Sequence, residues 1–164
     1  DGIYLNVGGG KSTGIELAAG YRITPELQLS TSYSYNRAKY LGTGDAAKDA
    51  ALDIVPGVQV YNTPKHMLVG ALDWKGDIFK AGISSKYVSS RFIDRQGVDP
   101  SGSFVLTNAY VGVELGEVVP QLKNLDLSVT VNNLTNERYL AGADGGSAFL
   151  GSPRTVMASL TLDF

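Results

Sequence analysis

Three short stretches of this sequence carry residue types that could perform chemistry, and the first is Gly10-Lys11-Ser12. A Gly-Lys-Ser run binds phosphate when another glycine stands five positions before its own glycine, because the loop between the two presents backbone N–H groups to the anion. In this chain that position is occupied by Leu5, and no helical pattern follows the serine. We therefore predict a hairpin loop over residues 8–13 and no phosphate site.

The second stretch is a row of carboxylates within the connection formed by residues 42–63. Asp45, Asp49 and Asp53 recur at every fourth position, and Asp45 is a favourable N-cap for a short helix over residues 45–53. On such a helix the three side chains share one face, where their oxygen atoms could bind calcium. Carboxylates repeated along an exposed helix are also common without a metal. The sequence therefore favours a solvated loop helix and leaves a calcium site as the alternative.

The third candidate is His66, the only histidine in the chain. Nucleophilic catalysis needs a serine or cysteine within reach of a base that a third group orients. No such arrangement stands at a catalytic spacing from His66, so a position at the start of a strand is favoured. We identify no catalytic or cofactor-binding residues, assign no metal site, and predict that the protein is not an enzyme.

Composition excludes several further classes of protein. The chain has no cysteine, which rules out disulfides and thiolate metal sites. Its formal net charge of −2 argues against a nucleic-acid partner, whose phosphates require a basic surface. No apolar run reaches the roughly 20 residues that a membrane-spanning helix needs. Any contact with a membrane would therefore have to come from strands.

The secondary-structure pattern of this chain is clearest in its last residues. Counting back from Phe164, every second residue is apolar: Leu162, Leu160, Ala158 and Val156. This period of two indicates a strand with one apolar and one polar face. A terminal strand that ends on an aromatic residue is typical of outer-membrane barrels, where one face contacts lipid and the other the lumen. We therefore predict the closing strand of a transmembrane β-barrel.

Similar alternation recurs along the whole chain. We predict strands over residues 14–24, 27–41, 64–74, 78–94, 104–116 and 125–132, with a strand stub at 1–7 and the closing strand at 154–164. The connections at 24–26, 75–77 and 117–124 are the shorter set, and those at 42–63, 95–103 and 133–153 are the longer set. Short periplasmic turns and long outer loops are the asymmetry of an outer-membrane barrel. The predicted fold is an antiparallel all-β transmembrane barrel.

Each predicted strand has two chemically different faces. Aromatic residues fall on the faces assigned to lipid, as in an aromatic girdle: Tyr21, Tyr33, Tyr35, Trp74, Tyr87 and Phe164. Charged residues fall on the faces assigned to the lumen: Glu16, Arg22, Lys80, Lys86, Glu114 and Asp126. We expect a solvated lumen wall, with a charge network or contact with a partner that fills the pore as the alternatives.

Short motifs in this order resemble the C-terminal region of TonB-dependent outer-membrane receptors. The motif near the end of the chain comprises Asn133, Leu134, Thr135, Arg138, Tyr139, Pro153 and Arg154. Upstream, the run from Asn62 to His66 resembles the family's Asn-x-Pro-x-His, and Gly14-Ile15-Glu16 resembles its Gly-x-Glu strand start. Each motif is short, but together with the terminal strand they are specific, and they extend over nearly the whole chain.

The resemblance implies a barrel of about 22 strands that encloses a plug domain, together with an N-terminal box that engages TonB. It implies import of a scarce ligand, most often a ferric siderophore, across the Gram-negative cell outer membrane. Residues 1–164 correspond to about eight C-terminal strands of such a barrel, with the plug and the earlier strands absent. The sequence does not identify the residues that select the ligand.

The resemblance also implies partners and an assembly signal. Because assembly machinery reads the terminal strand in this class, the implied insertion signal consists of Phe164, Leu162, Leu160, Ala158 and Val156. The expected partners are outer-membrane lipid, the barrel assembly machinery, TonB through the missing N-terminal region, and a ferric siderophore or similar ligand. Nucleic acid is not expected.

The alternative reading is a self-contained eight-stranded barrel with a structural or adhesive role. It would require residues 1–7 to pair with residues 154–164. The lumen of such a barrel is just wide enough to be filled by side chains. The inward faces of this chain are rich in Ser, Thr, Gly and Ala, which suits a larger lumen closed by a plug.

Overall fold

The computed structural model describes residues 9–117, 119, 125–144 and 147–162. Its strands are β1 (Gly9–Arg22), β2 (Leu27–Gly42), β3 (His66–Lys75), β4 (Phe79–Val88), β5 (Phe104–Glu114), β6 (Leu125–Asn132), β7 (Leu140–Asp144), β8 (Ser147–Leu150) and β9 (Thr155–Leu162). The other elements are the helix α1 (Ala46–Ala51) and a 3₁₀ turn at Leu115–Glu117. Within the described ranges, no helix is long and apolar enough to cross a membrane.

Seven strands form one antiparallel sheet in the order β1-β2-β3-β4-β5-β6-β9. β7 and β8 form a separate two-stranded hairpin, so β6 pairs with β9. The prediction of an antiparallel all-β chain with seven full strands is confirmed. The predicted stub at residues 1–7 lies outside the described residues. Among the residues that are described, β1 and β9 are the two edges of an open sheet.

The register of the sheet keeps the face assigned to lipid apolar and aromatic from strand to strand. On the face assigned to lipid, one lateral row from β1 to β5 joins Leu17, Tyr33, Leu68, Tyr87 and Val105. On the opposite face, the neighbouring row joins Ala18, Ser32, Val69, Lys86 and Leu106. Since successive side chains of a strand point to opposite faces, the predicted faces are continuous across the sheet.

The apolar face lies open, as a lipid-contacting surface must. Leu17 on β1 is 63% exposed, and Leu160 on β9 is 64% exposed. Large contiguous apolar patches are rare on soluble monomers, whereas an apolar outer band is required where strands contact hydrocarbon. The fold therefore supports the assignment of this face to lipid.

The structure corrects the prediction for the start of the chain. β1 begins at Gly9, so residues 9–13 belong to a strand, and the predicted hairpin loop is wrong. These residues pair with the outer end of β2 as far as Gly42. Glycine-rich sequence suggests a turn because glycine accepts many conformations, but here the ladder to β2 determines the structure. Gly14 allows a close approach, since a Cβ at this position would overlap the Tyr35 carbonyl oxygen.

Two further boundaries differ from the prediction. The strand predicted over 78–94 ends at Val88, because the following backbone turns onto its own loop, where the Ile93 N–H donates to the Asp99 carbonyl at 2.9 Å. The connection predicted over 133–153 contains the β7–β8 hairpin.

The buried residues lie at one end of the sheet. The described apolar residues that are at most 9% exposed are Ala38, Tyr40, Ile54, Val88, Phe104 and Ala143. All of them belong to the outer ends of strands or to the long connections. The sheet therefore has no core of its own at mid-height, which is expected when lipid and lumen solvate its two faces.

The face assignment is tested by two neighbouring residues of β4. Ile83 is 47% exposed on the lipid face, and Ser84 lies on the lumen face. We expect Ile83→Arg to lower the free energy of unfolding in lipid bilayers by about 2–4 kcal/mol, because the guanidinium must enter hydrocarbon. Ser84→Arg is the matched control and should have a much smaller effect. Equal losses in urea titrations of the two variants would contradict the assignment.

Candidate functional site

The three long connections form one layer at the outer end of the sheet, which we call the outer-loop layer (residues 43–65, 89–103, 133–144 and 147–154). Its first segment contains α1, whose N-cap is Asp45, as predicted. The Asp45 carboxylate accepts from the N–H groups of Ala47 and Lys48 at 2.9 and 3.3 Å. Asp45 is therefore engaged by the helix that follows it.

The other two predicted carboxylates do not join Asp45 in a cluster. The buried Asp49 carboxylate accepts from the N–H and the hydroxyl of Thr43, both at 2.7 Å. Asp53 lies beyond the end of α1, in the left-handed region at φ 54°, and accepts from Gln96 at 3.1 Å. The predicted common helix face is therefore wrong for Asp53. Within the described part of the chain, no group of three or more His, Asp or Glu side chains is placed to hold a metal ion.

Asn62 joins the first segment of the layer to the other two. Its side-chain amide donates to the Ala143 carbonyl at 2.6 Å and accepts from the Ala143 N–H at 3.0 Å. Its own backbone N–H donates to the Phe92 carbonyl at 2.8 Å. The φ of Asn62 is 58°, a left-handed conformation that asparagine tolerates better than most residues. One residue thus connects three loops.

Arg91 joins the second segment to the third. Its Nη2 donates to the carbonyls of Leu140 and Ala141 at 2.8 and 2.9 Å, and its guanidinium lies 5.7 Å from the centre of the Phe104 ring. Only 7% of Arg91 is exposed. Burial lowers the pKa of this guanidinium, which still remains protonated at neutral pH. A buried charge held by backbone carbonyls fixes the position of β7.

The family motif at the chain end forms a clamp centred on Asn133, which is 5% exposed. Its Nδ2 donates to the carbonyls of Glu137 and Ser152 at 2.9 and 3.0 Å, and its Oδ1 accepts from the Glu137 N–H at 2.8 Å. Its backbone N–H donates to the Asn108 side chain at 2.9 Å. The clamp draws together the two ends of the last connection, so β9 begins beside the end of β6.

The remaining motif residues surround this clamp. The Leu134 N–H donates to the Thr107 carbonyl at 2.7 Å, and Arg154 Nη1 lies 3.5 Å from the Leu134 carbonyl. Tyr139 packs on Phe104 with ring centres 4.5 Å apart. Arg138 and Tyr139 line a shallow cavity beside β8. Thr135 is exposed, and Pro153 immediately precedes Arg154 at the approach to β9.

Tyr139 also explains why residue 151, two positions before Pro153, is a glycine. A Cβ at Gly151 would overlap the Tyr139 ring, and the Gly151 N–H donates to the Tyr139 carbonyl at 2.8 Å. Glycine at this position therefore lets the last connection pass directly over the aromatic ring. Of the predicted motif residues, Asn133 and Leu134 are thus brought together with Tyr139 and Arg154 in one structural unit.

The lumen wall carries two contacts that reach across an intervening strand. Lys80 on β4 donates to Asp126 on β6 at 2.9 Å and lies over Gly112 of β5, where a Cβ would meet the lysine stem. The Tyr110 hydroxyl on β5 donates to Asp73 on β3 at 2.9 Å and crosses Gly82 of β4 in the same way.

A third pair belongs to the same wall. Lys75 and Glu114 are 2.8 Å apart at its periplasmic end. Part of the predicted lumen charge set therefore forms a network near that end. Among the described ion pairs, Glu16, Arg22 and Lys86 take no part.

His66 lies at the start of β3, as predicted, and contacts two tyrosines of β2. Its Nδ1 lies 2.8 Å from the Tyr33 hydroxyl, and its ring centre is 5.2 Å from that of Tyr35. These contacts place the histidine at the upper end of the lipid face, next to the aromatic girdle.

The described residues of the proposed assembly signal lie on β9, the strand at one edge of the sheet. Val156, Ala158, Leu160 and Leu162 alternate on β9 and pair across the ladder with the apolar residues Val131, Val129, Leu127 and Leu125 of β6. They share the lipid face. Phe164 lies outside the described residues.

Sequence reasoning missed Asn62 as a loop connector and Arg91 as a buried guanidinium. The Asn-x-Pro-x-His motif includes Asn62, but its bonds to Ala143 join residues 81 positions apart. The strand predicted over residues 78–94 includes Arg91. Its hydrogen-bond acceptors are backbone carbonyls, so no pattern of acidic partner side chains could have indicated its role.

The sequence and fold of this chain are similar to those of known proteins. A sequence profile described as "TonB dependent receptor-like, beta-barrel" matches residues 1–134. The chain is 28% identical over 163 residues to the ferrioxamine receptor of Yersinia enterocolitica, covering 98% of this chain and 22% of that protein. It is 30% identical over 169 residues to the metal-pseudopaline receptor CntO of Pseudomonas aeruginosa, covering 99% of this chain and 22% of that protein.

A solved structure agrees in fold. The siderophore receptor PiuA from Acinetobacter baumannii superposes with a TM-score of 0.76 at 23% identity, covering 92% of this chain and 21% of that chain. The chain thus spans about a fifth of the length of the curated relatives that it matches.

The clamp is tested by Asn133→Gly, which keeps the left-handed backbone (φ 52°) but removes the side chain. We expect the free energy of unfolding to fall by about 1–3 kcal/mol, because buried partners lose their hydrogen bonds. Asn136→Gly is the matched control: Asn136 has φ 55° but is exposed, so water can replace its bond. If the two variants unfold at the same urea concentration, Asn133 is not the centre of the clamp.

Proposed function

Because this chain belongs to the TonB-dependent receptor β-barrel family, we propose that it forms the C-terminal section of an outer-membrane importer of a ferric siderophore or a similar metal chelate. Barrels of this family reside in the Gram-negative outer membrane, and its members are receptors and transporters. The single observation that carries the proposal is the match of nearly the whole chain to receptors named for such ligands.

The proposed section is shorter than a working receptor. The relatives are about five times longer than the matched region, and the seven-stranded sheet is open among the described residues. Both observations support a larger barrel in which further strands complete the wall. In this proposal the plug domain and the region that engages TonB belong to the remainder of the receptor. A self-contained eight-stranded barrel is not favoured by these relatives.

The proposal assigns different tasks to the two ends of the section. The outer-loop layer would form part of the surface that a ligand meets first, held in shape by Asn62 and Arg91. The lumen wall, with Lys80 and Asp126, would face the plug. Ligand-selective residues would lie on loop tips and on the plug, because loops on a rigid scaffold commonly carry binding function.

The test is uptake of chelates that carry a radioactive metal by a strain that lacks the full-length receptor gene. We expect such a strain to lose uptake of at least one chelate from a panel of ferrioxamine, a ferric catecholate and metal-pseudopaline. The receptor gene should restore it. Peptides of residues 155–162 should come from an outer-membrane protein several times larger than 17.4 kDa. Unchanged uptake of every chelate, or a protein of about 17 kDa, would contradict the proposal.

A variant of this section sharpens the test. Arg91→Ala should reduce uptake about tenfold, a loss of about 1.4 kcal/mol in ligand binding, because β7 loses both guanidinium bonds. Lys48→Ala is the control. The side chain of Lys48 is 73% exposed, and its ion pair with Asp45 is long, at 4.0 Å. Both variants must be present in the outer membrane in normal amount. Normal uptake by Arg91→Ala would contradict the proposal that the Arg91 bonds to β7 shape the surface that captures the ligand.

We also propose that the end of β9 is the signal read by the barrel assembly machinery. The support is the uninterrupted apolar face formed by Val156, Ala158, Leu160 and Leu162. Deletion of Phe164 from the full receptor should lower its outer-membrane yield severalfold, and Leu160→Ser should act in the same direction. Thr161→Ser, on the opposite face, is the control. An unchanged yield after deletion of Phe164 would refute the role of that residue.

A further inference from the structure

The hairpin of β1 and β2 extends beyond the rest of the sheet. β3 pairs with β2 only up to Tyr35, whereas β1 continues to pair with β2 as far as Gly42. The extension is closed on its other side by the first outer loop, where the Tyr40 N–H donates to the Val58 carbonyl at 3.0 Å. The outer end of this hairpin is therefore a well-paired element that projects past the aromatic girdle.

Three cations lie on the lipid-side face of this extension. Arg37 and Lys39 follow Tyr35 at two-residue intervals on β2, so their side chains share its face. The register between β1 and β2 runs without a shift through this segment and places Lys11 directly opposite Lys39 and Thr13 directly opposite Arg37. At about 3.4 Å per residue, Arg37 lies roughly 7 Å beyond Tyr35 along the strand.

The arrangement of these charges is unfavourable on its own. Lys11 and Lys39 form a cross-strand pair of like charge, and like charges directly opposite each other destabilise a sheet. Among the described residues, Lys11, Arg37 and Lys39 make no ion pair. The three side chains line one concavity of about 380 Å³ together with Thr13, Tyr40, Leu41 and Gly57, the last from the first outer loop. An anion in this concavity would relieve the repulsion.

We propose that Lys11, Arg37 and Lys39 bind the phosphate group of an outer-leaflet lipid. The cations lie on the outside of the barrel wall: Arg37 is two residues beyond Tyr35, and Lys39 with its partner Lys11 is four residues beyond it. A phosphate bound there would let its acyl chains descend over Ile15 and Leu17, which are 59% and 63% exposed. Guanidinium and ammonium groups bind phosphate with charge-assisted hydrogen bonds, and Thr13 supplies a hydroxyl.

This position separates the proposed lipid site from any site for imported ligand. Ala38 and Tyr40 of the same hairpin have the opposite parity to the three cations and are buried, and Tyr40 also borders the concavity. The lipid would therefore approach from the membrane, whereas an imported chelate enters from the lumen. Loss of lipid binding need not affect binding of the chelate, so the lipid-binding test is independent of the uptake test.

The test is native mass spectrometry of the full receptor in detergent, titrated with bis-phosphorylated lipid A. We expect the triple variant Lys11→Gln, Arg37→Gln and Lys39→Gln to bind at least tenfold more weakly. Arg37→Gln alone should give an intermediate loss, and Lys48→Gln, which removes one exposed charge elsewhere, should bind normally. Binding of a ferric siderophore, measured in parallel, should be unchanged in every variant and reports that the barrel is folded.

Three outcomes would overturn the proposal. The first is equal lipid binding by the triple variant and the native receptor. The second is equal binding of lipid A and of its dephosphorylated form, which would exclude the phosphate as the recognised group. The third is displacement of the lipid by inorganic phosphate at comparable concentration, which would identify a free anion rather than a lipid as the ligand.

Discussion

Register is the constraint on which the rest of this structure depends. The seven-stranded sheet is a single layer whose faces meet different surroundings, and a slip of one residue would exchange them. Lys86 would then replace Tyr87 in the row that contacts hydrocarbon. In lipid each unpaired backbone group also costs several kcal/mol. The sheet therefore has to fix every strand against its neighbour, without a second layer to pack upon.

The structure fixes the register with contacts at both ends of the strands. Near the periplasmic end, Lys80 and Tyr110 each reach over a glycine to the second strand along, so three consecutive strands are joined by one side chain. At the outer end, Asn133 closes the last connection and places β9 beside β6. Both contacts depend on residue type. Gly112 leaves space for the Lys80 side chain, and Asn133 adopts a left-handed backbone conformation.

Much of the sheet could be predicted from sequence because strand alternation is a local signal. The seven strands, their faces and the capped helix after Asp45 follow from residue spacing alone. Two features could not be predicted in this way, because they depend on contacts with residues that are distant in sequence. The glycines at the start of β1 form a strand only because the outer end of β2 lies beside them. Likewise Arg91 is buried only because β7 folds back onto its loop.

The outer-loop layer combines a fixed shape with freedom of sequence. Asn62 binds the N–H and the carbonyl of Ala143, and Arg91 binds the carbonyls of Leu140 and Ala141. These bonds are made to the backbone, so most side chains could occupy the β7–β8 hairpin without breaking them. Its outward residues, such as Leu150 at 79% exposure, are then free to change. A loop layer built in this way can change its exposed side chains while the loops keep their positions.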